Sequence, residues 1–359
     1  MNCNFGLKVG SLTRVVADVS LWAYNSVRKL SKKVYLVIEG SGDNSLERNT
    51  PSLTSSLVRD LYSRMLLTRL VDHCVCQLYQ SVRNYHVPTC RGREAAQVGS
   101  ALCIEVGTDF TLPYYSDLGV VLTIGMTPYE VLRTHAQYVQ AATRQADEKR
   151  PSIQQTKLAL NNMEPISYWG YSKHNLVAGP VPVSTQILHA AGIAFACKLR
   201  QGSAVTVAYS GDGASTEPDF LEGITFAAQH RLPGVFVYEQ DGASASLQAL
   251  PLPAGLEYQA IDGADVIVVY TAMQAAMQHA REGYGPVLLE LNVHCHVSER
   301  LSENEDSQKD PLYNCQRYMK QRSMWDDEWA TQLNTRLNED VKRAMQHALQ
   351  EQARNEREK

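Results

Sequence analysis

Three features are scarce or missing in this sequence, and each absence excludes a class of protein. No apolar run reaches the roughly 20 residues that a helix needs to cross a bilayer, so a membrane-spanning protein is not expected. The 34 Lys and Arg residues are outnumbered by 38 Asp and Glu residues, and the net charge of −4 argues against a nucleic-acid-binding surface. The 8 cysteines are scattered through 359 residues without a signal-peptide pattern, which indicates reduced intracellular thiols and no disulfide framework.

Apolar residues make up 44% of the chain, enough for a sizeable core, and they fall into alternating strand-like and helix-like segments. Strands are predicted at Ala204–Tyr209, Gly234–Tyr238, Ala264–Tyr270 and Pro286–Val293. Helix-like periodicity lies between them, as parallel βαβ units require. The sequence therefore predicts an α/β fold, with a doubly wound, mostly parallel sheet and helices on both faces.

Three regions are predicted along the chain. Residues 1–51 form an amino-terminal extension and linker, residues 52–325 the main α/β domain, and residues 326–359 a charged helical tail. The extension contains a basic amphipathic stretch at Leu12–Leu30, which fits either an ordinary helix or an organelle presequence. A cytoplasmic location is therefore expected, with the mitochondrial matrix as the alternative.

Two segments of the main domain lack strong periodicity. Gln145–Tyr171 is predicted to be a long surface loop, and Ser298–Gln321 is predicted to be irregular. Connections of this length are usually functional or disordered.

Two glycine-containing turns follow consecutive predicted strands. Gly211 and Gly213 flank Asp212 after the first strand, and Asp241 precedes Gly242 after the second. Glycine lets the backbone turn sharply and approach a ligand, and ligands of open α/β sheets bind at the carboxyl ends of the strands. Two carboxylates at neighbouring strand ends suit Mg²⁺ or Ca²⁺ bridging a diphosphate, although both turns are also compatible with ordinary βα connections.

The two residues that follow the Gly-Asp-Gly turn are candidates for a helix cap. Ser215 and Thr216 carry hydroxyls that can accept a backbone N–H at the start of the next helix. The free N–H groups of that helix end would then face an anion.

Several segments from Leu61 onward resemble, in matching order, the α subunit of the E1 component of 2-oxo acid dehydrogenases. The resemblance is carried by Gly92-Arg-Glu-Ala-Ala-Gln-Val-Gly, by Leu112-Pro-Tyr-Tyr-Ser-Asp-Leu-Gly and by Asp310-Pro-Leu-Tyr. The spacing from Asp212 to Asp241 also fits the cofactor motif of this family. The branched-chain (2-oxoisovalerate) type is the most similar, and residues before about Ser52 lie outside the resemblance.

The resemblance implies a thiamine-diphosphate-binding fold and a shared active site. It implies thiamine diphosphate and Mg²⁺ as cofactors, with K⁺ as a possible structural ion. It implies oxidative decarboxylation of a 2-oxo acid, with transfer of the acyl group to a lipoyl domain. The implied partners are a β subunit, in an α₂β₂ heterotetramer, and a lipoyl-bearing acyltransferase.

The resemblance also assigns individual residues to the site. The residues implied to bind the cofactor are Tyr115, Ser116, Pro182, Gly211, Gly213, Ala214 and Glu239. The implied metal ligands are Asp212 and Asp241, and the implied potassium-binding segment contains Pro182, Thr185 and Gln186.

Several of these positions depart from the family pattern in charge. Ser116 and Glu239 stand where arginines hold the diphosphate, Asp241 replaces an asparagine, and Ala243 replaces a tyrosine. Losing two charged hydrogen bonds costs about 3–6 kcal/mol of cofactor binding. A basic residue from elsewhere could substitute for them, and the candidates are Arg91, Arg93 and Lys173.

The catalytic histidine of the family is also missing from its aligned place. After the last predicted strand, Cys295 aligns with the family arginine and Glu299 with a histidine. His174 and His296 are candidates for the acid–base role, although each also fits an ordinary hydrogen-bonded histidine. Two functions therefore stay open: an E1 α-like enzyme subunit, and a catalytically degenerate paralogue that acts as a scaffold or regulatory partner of a β-like subunit.

Overall fold

The computed structural model of the chain describes residues 53–80, 89–147, 174–178, 183–242, 246–295 and 309–357. Contacts divide the chain into two compact units, Met1–Leu53 and Thr54–Lys359. The predicted extension over residues 1–51 lies outside the described residues, and so do residues 148–171 of the predicted loop. The domain boundaries drawn from the sequence stay predictions.

Five strands and nine helices form the described part of the second unit. The strands are β1 (Phe110–Leu112), β2 (Thr206–Gly211), β3 (Gly234–Gln240), β4 (Glu257–Asp262) and β5 (Val287–Asn292). The helices are α1 (Ser55–Tyr79), α2 (Glu94–Ala101), α3 (Leu118–Ile124), α4 (Pro128–Asp147), α5 (Thr185–Leu199), α6 (Pro218–Gln229), α7 (Val266–Arg281), α8 (Pro311–Gln321) and α9 (Asp327–Arg357). Among these helices, none is both long and apolar enough to cross a membrane.

The five strands form one parallel sheet in the order β1-β2-β3-β5-β4. Gly211, the last residue of β2, is paired with Glu239, the last residue but one of β3. The carboxyl ends of β2 and β3 therefore meet at the same edge of the sheet. Asp212 and Asp241, each one residue beyond its strand, lie at that edge.

Helices cover both faces of the sheet, because successive strand side chains point to opposite sides. Val207 and Tyr209 of β2 belong to a core shared with α1, α2, α3, α4, α7 and α9. Ala208 and Phe236 belong to a second core, shared with α5 and α6. The predicted fold class is confirmed.

The prediction of a strand at Ala264–Tyr270 is wrong, because α7 covers most of this segment. Asp265 caps the helix, accepting hydrogen bonds from the backbone N–H groups of Ile267 at 2.9 Å and Val268 at 3.2 Å. The β-branched run is buried on the helix side that faces the sheet, so packing overrides its strand preference. The strand is instead β4, an edge strand whose half-exposed residues hide its apolar pattern.

The predicted irregular segment at Ser298–Gln321 contains helix α8. Asp310 accepts a hydrogen bond from the backbone N–H of Tyr313 at 3.0 Å, and Pro311 takes the first helical position. Both are standard features of a helix start. Likewise, residues 145–147 belong to α4 and not to a loop.

Candidate functional site

The two aspartates predicted as metal ligands lie together at the carboxyl edge of the sheet. The backbone N–H of Asp241 lies 3.2 Å from Asp212 Oδ2 and 3.4 Å from Oδ1. The backbone N–H of Cys295 in turn donates to Asp241 Oδ1 at 2.8 Å. Each carboxylate thus accepts a backbone hydrogen bond across neighbouring strand ends. Within the described ranges, no three His, Cys, Asp or Glu side chains are grouped so as to hold a metal ion.

The Gly-Asp-Gly turn leaves open space above the strand end. Gly213 has a φ of 87°, in the left-handed region that favours glycine. No atom of the described residues lies within 4 Å of a Cβ built on Gly213, whereas one built on Gly211 would lie 3.1 Å from the ring of Tyr114. Gly211 is therefore needed for close packing and Gly213 for the turn.

The predicted caps Ser215 and Thr216 do not begin the following helix. They form a short 3₁₀ turn, and Thr216 Oγ1 donates back to the carbonyl of Gly213 at 2.7 Å. Helix α6 begins only at Pro218, with Glu217 as an N-cap that makes no side-chain hydrogen bond. The prediction that Ser215 or Thr216 caps this helix is therefore wrong, and Pro218, which has no N–H to donate, takes its first position.

Glu239 is the least expected side chain of the site, since its carboxyl group is almost fully buried at the end of β3 (1% exposed). Its Oε2 lies 3.3 Å from Arg93 Nη1 and 3.4 Å from Gln97 Nε2. Its Oε1 is buried and has no hydrogen-bond partner among the described residues. Burial raises the pKa of Glu239 to about 7, against the opposing charge of Arg93.

Arg93, one of the basic residues named from the sequence, does reach this edge. Its Nη1 donates to Ser116 Oγ at 3.2 Å as well as to Glu239, and its Nε donates to Cys295 Sγ. Burial alone would lower the pKa of Arg93, but its interactions with Glu239, Cys295 and Asp117 together more than offset this, and the guanidinium stays charged. The positive charge that a diphosphate would require is therefore present in the Arg93 guanidinium, but it is already paired with Glu239.

Asp117 adds a second buried carboxyl group, which the sequence reasoning missed. It accepts a hydrogen bond from the backbone N–H of Tyr114 at 2.6 Å and lies 3.4 Å from Gln97 Nε2. Burial, followed by the negative charge of Glu239, raises the pKa of Asp117 well above its usual value. The sequence signal that could have identified Asp117 is its position directly after Ser116, because both residues contact Gln97 from the same turn.

We call these side chains the sheet-edge cluster. Its members are Arg93, Gln97, Ser116, Asp117, Asp212, Glu239 and Asp241. Tyr115 borders the cluster, with its ring centroid 4.1 Å from that of Tyr114 and 41% of its surface exposed. Ala214 is buried in the second core.

The predicted potassium-binding residues begin helix α5. Thr185 Oγ1 donates to Asp219 Oδ2 at 2.8 Å, and Gln186 Nε2 donates to the carbonyls of Val183 and Tyr209. Gln186 Oε1 is buried and has no hydrogen-bond partner in the described part of the chain. Pro182 lies outside the described residues.

Of the two candidate histidines, His174 lies among the described residues and does not join the sheet-edge cluster. Leu176 pairs in parallel with Thr111 of β1, so His174, two residues earlier, lies toward the amino end of that strand. A Cβ built on Gly125 would lie 3.1 Å from His174 Nε2, which places the imidazole beside the end of α3. His296 lies outside the described residues, as do Lys173, Ala243 and Glu299.

The residues of the sheet-edge cluster do not fit the diphosphate of the implied cofactor. Among the described residues, Arg93 is the basic side chain that contacts the cluster, and its guanidinium is already bound by Glu239 and Ser116. Four carboxyl groups share the same edge, and one buried oxygen of Glu239 has no donor. An anionic diphosphate placed here would meet net negative charge in a region shielded from water, where electrostatic repulsion is strong.

Comparison with known proteins places this architecture in one family. Residues 62–356 match the family model described as "Dehydrogenase E1 component". The chain is 31% identical over 299 residues to the 2-oxoisovalerate dehydrogenase subunit alpha of Bacillus subtilis (strain 168), covering 77% of this chain and 86% of that protein. It is 26% identical over 336 residues to the pyruvate dehydrogenase E1 component subunit alpha of Staphylococcus aureus (strain Mu50), covering 87% of this chain and 83% of that protein.

The matched region covers the sheet and the helices on both of its faces, and the family implies thiamine diphosphate as its cofactor. At the diphosphate end, the charges of this chain therefore differ from those that the family resemblance implies. From the family match and the relatives together, the chain belongs to the dehydrogenase E1 component family, as an E1 α-like member.

Proposed function

We propose that this chain is the α-like subunit of a 2-oxo acid dehydrogenase E1 component and pairs with a β-like subunit in an α₂β₂ assembly. The assembly would catalyse oxidative decarboxylation of a 2-oxo acid and pass the acyl group to the lipoyl group of an acyltransferase. The carrying observation is the parallel sheet, whose strand ends bring Asp212 and Asp241 within one hydrogen bond of each other. A cytoplasmic location is part of this proposal.

A branched-chain 2-oxo acid is the favoured substrate. The relative named 2-oxoisovalerate dehydrogenase is 31% identical to this chain, and the relatives named pyruvate dehydrogenase are 25–26% identical. The difference is small, so the experiment below compares both substrates.

Two ions belong to the proposal. Asp212 and Asp241 would supply carboxylate oxygens to Mg²⁺, a cation that prefers oxygen ligands. Gln186 Oε1, buried without a donor in the described part of the chain, would supply an oxygen to K⁺. Pro182 and Thr185 precede Gln186 in the sequence and belong to the same proposed potassium-binding segment.

A second candidate function is a scaffold or regulatory partner of a β-like subunit, without turnover. The observation that favours it is the sheet-edge cluster, in which one arginine faces four carboxyl groups. In this second candidate function, the chain retains the fold and the surface that pairs with the β-like subunit, but its site no longer binds the cofactor. Both candidate functions involve a β-like subunit, but only the first includes turnover of a substrate.

Co-expression with a tagged E1 β subunit separates the two candidates. Light scattering would measure the mass of the purified assembly, and a dye-reduction assay would measure turnover with 2-oxoisovalerate and with pyruvate. Assembly with turnover supports the enzyme subunit, and faster turnover of 2-oxoisovalerate supports the branched-chain preference. Assembly without turnover supports the scaffold, and failure to assemble contradicts both.

A further inference from the structure

The sheet-edge cluster contains the donors of an anion site, and one of the protein's own carboxylates fills it. Arg93 Nη1 and Gln97 Nε2 converge on a single oxygen, Glu239 Oε2, at 3.3 and 3.4 Å. A guanidinium is the group that proteins use for carboxylate and phosphate oxygens alike. We propose that Glu239 occupies the place of a phosphate oxygen opposite Arg93, so that the chain excludes diphosphate until this one negative charge is removed, as the scaffold or regulatory function proposed above requires.

The bonding of Glu239 indicates more than a structural ion pair. A buried ion pair is favourable when both carboxylate oxygens are satisfied, and Oε1 of Glu239 has no donor among the described residues. Asp212 places further negative charge close to it, and Asp117 adds a second buried carboxyl group. This arrangement is a poor stabilising element and an effective barrier to anions.

A cation bound at Glu239 is the other explanation for its buried carboxyl group, and the geometry favours it less. Asp212 and Asp241 each accept a backbone N–H, and within the described ranges no three potential ligands are grouped around a common point. Arg93 also contacts Glu239 directly, where its positive charge would repel a metal ion. The barrier to anions therefore follows from side chains already in contact.

The test is a calorimetric titration of the full chain with sodium diphosphate in the presence of Mg²⁺, at pH 8. We expect no heat of binding for the wild-type chain at millimolar diphosphate. Glu239→Gln keeps the shape and removes the charge, and should increase affinity by about tenfold to a hundredfold. The double variant Arg93→Met/Glu239→Gln should lose that gain, because the cation is then absent.

Glu290→Gln is the matched control. Glu290 is also a fully buried glutamate on a central strand, and its Oε1 also has no partner among the described residues, but it contacts Ser246 and Tyr258 on the other face of the sheet. It should bind no more diphosphate than the wild type. Circular dichroism would establish that each variant is folded, and Glu239→Thr, a neutral residue suited to a strand, replaces Glu239→Gln if the latter is not.

Two results would overturn the proposal. One is tight binding of diphosphate by the wild-type chain, whatever the variants do. The other is a folded Glu239 variant whose affinity equals that of Glu290→Gln. The probe is an inorganic anion and the readout is heat of binding to the chain alone, so the outcome does not depend on assembly with a β subunit or on turnover.

Discussion

Arg93 and Glu239 meet at the end of the sheet, where little solvent reaches either side chain (12% and 1% exposed). Their contact is the point at which this chain differs in charge from the arrangement that its family resemblance implies. Each side chain depends on the other, because removing one partner of a buried pair leaves an uncompensated charge.

Arg93→Met tests that dependence through stability. We expect the free energy of unfolding to fall by about 3 kcal/mol, since Glu239 would remain buried without its cation. Urea unfolding of the single variants and of Arg93→Met/Glu239→Gln would measure the coupling between the two residues. The double variant should be more stable than Arg93→Met alone, and a loss below about 0.5 kcal/mol for Arg93→Met would show that the pair carries little energy.

His135 provides a residue whose charge state links stability to pH. It is buried in α4, its Nδ1 lies 3.0 Å from Tyr79 Oη, and burial lowers its pKa to about 4. The unfolded chain binds the proton near pH 6.5, so the unfolded state takes up more protons between pH 6.5 and pH 4, and stability falls as the pH is lowered through this range.

The expected loss from His135 is about 2 kcal/mol between pH 7.5 and pH 5. Urea unfolding at both values would measure it in the wild type and in His135→Gln, which cannot be protonated there. The variant should lose correspondingly less stability on acidification. An identical pH dependence in both proteins would mean that His135 does not stay neutral in the fold.

Helices α5 and α6 pack with their backbones close together. Each contains one glycine, and the two glycines differ in the space available for a side chain. A Cβ built on Gly223 of α6 would lie 3.0 Å from the backbone N of Leu188 and 3.1 Å from the carbonyl carbon of Ile187. A Cβ built on Gly192 of α5 would meet nothing within 4 Å. The sequence presents both as single glycines in helical segments and does not distinguish them.

Gly223→Ala and Gly192→Ala form a matched pair of substitutions. Alanine favours a helix over glycine by about 1 kcal/mol, so Gly192→Ala should raise stability by about 0.5–1 kcal/mol. Gly223→Ala should lower it by about 1–2 kcal/mol, because the two helices must separate to admit the methyl group. Thermal melts of both variants would show shifts of opposite sign, and a rise for Gly223→Ala would mean that the interface adjusts freely.

At the scale of the whole molecule, helix α9 contributes to the main core. Leu333, Leu337, Val341 and Ala348 are buried, Tyr129 stacks on His347 at 4.6 Å, and Arg133 pairs with Glu351 at 3.5 Å. The sequence predicts a charged helical tail over residues 326–359 and gives no indication of what it contacts. In the structure this helix packs against α1 and α4.

Ending the chain at Trp325 should therefore prevent cooperative folding. Each buried Leu or Val contributes about 1.5–3 kcal/mol, and several of them approach the 5–15 kcal/mol that stabilises a typical domain. Calorimetry of this truncation and of a control ending at Arg357 would measure the effect. A sharp, wild-type-like transition in the shorter chain would show that α9 is an independent tail.

The sequence by itself determined the parallel α/β class of the fold and two of the residues that meet at the edge of its sheet. Buried apolar runs followed by Gly-Asp-Gly and Asp-Gly turns predict parallel strands, whose carboxyl ends bring Asp212 and Asp241 together. Local periodicity failed at Ala264–Tyr270, because β-branched residues suit a strand and also the buried side of a capped helix. It also failed at β4, because a half-exposed edge strand has no continuous apolar run.

Only the tertiary structure decided which charges face one another. Arg93 is 146 residues from Glu239 and 23 from Ser116, so no local pattern shows that one guanidinium reaches both. The burial of Asp117 and the position of His174 toward the amino end of β1 also depend on how distant segments pack. The electrostatic energy of a site depends on the distances between its charges and on how far water is excluded. The order of residues along the chain specifies neither of these.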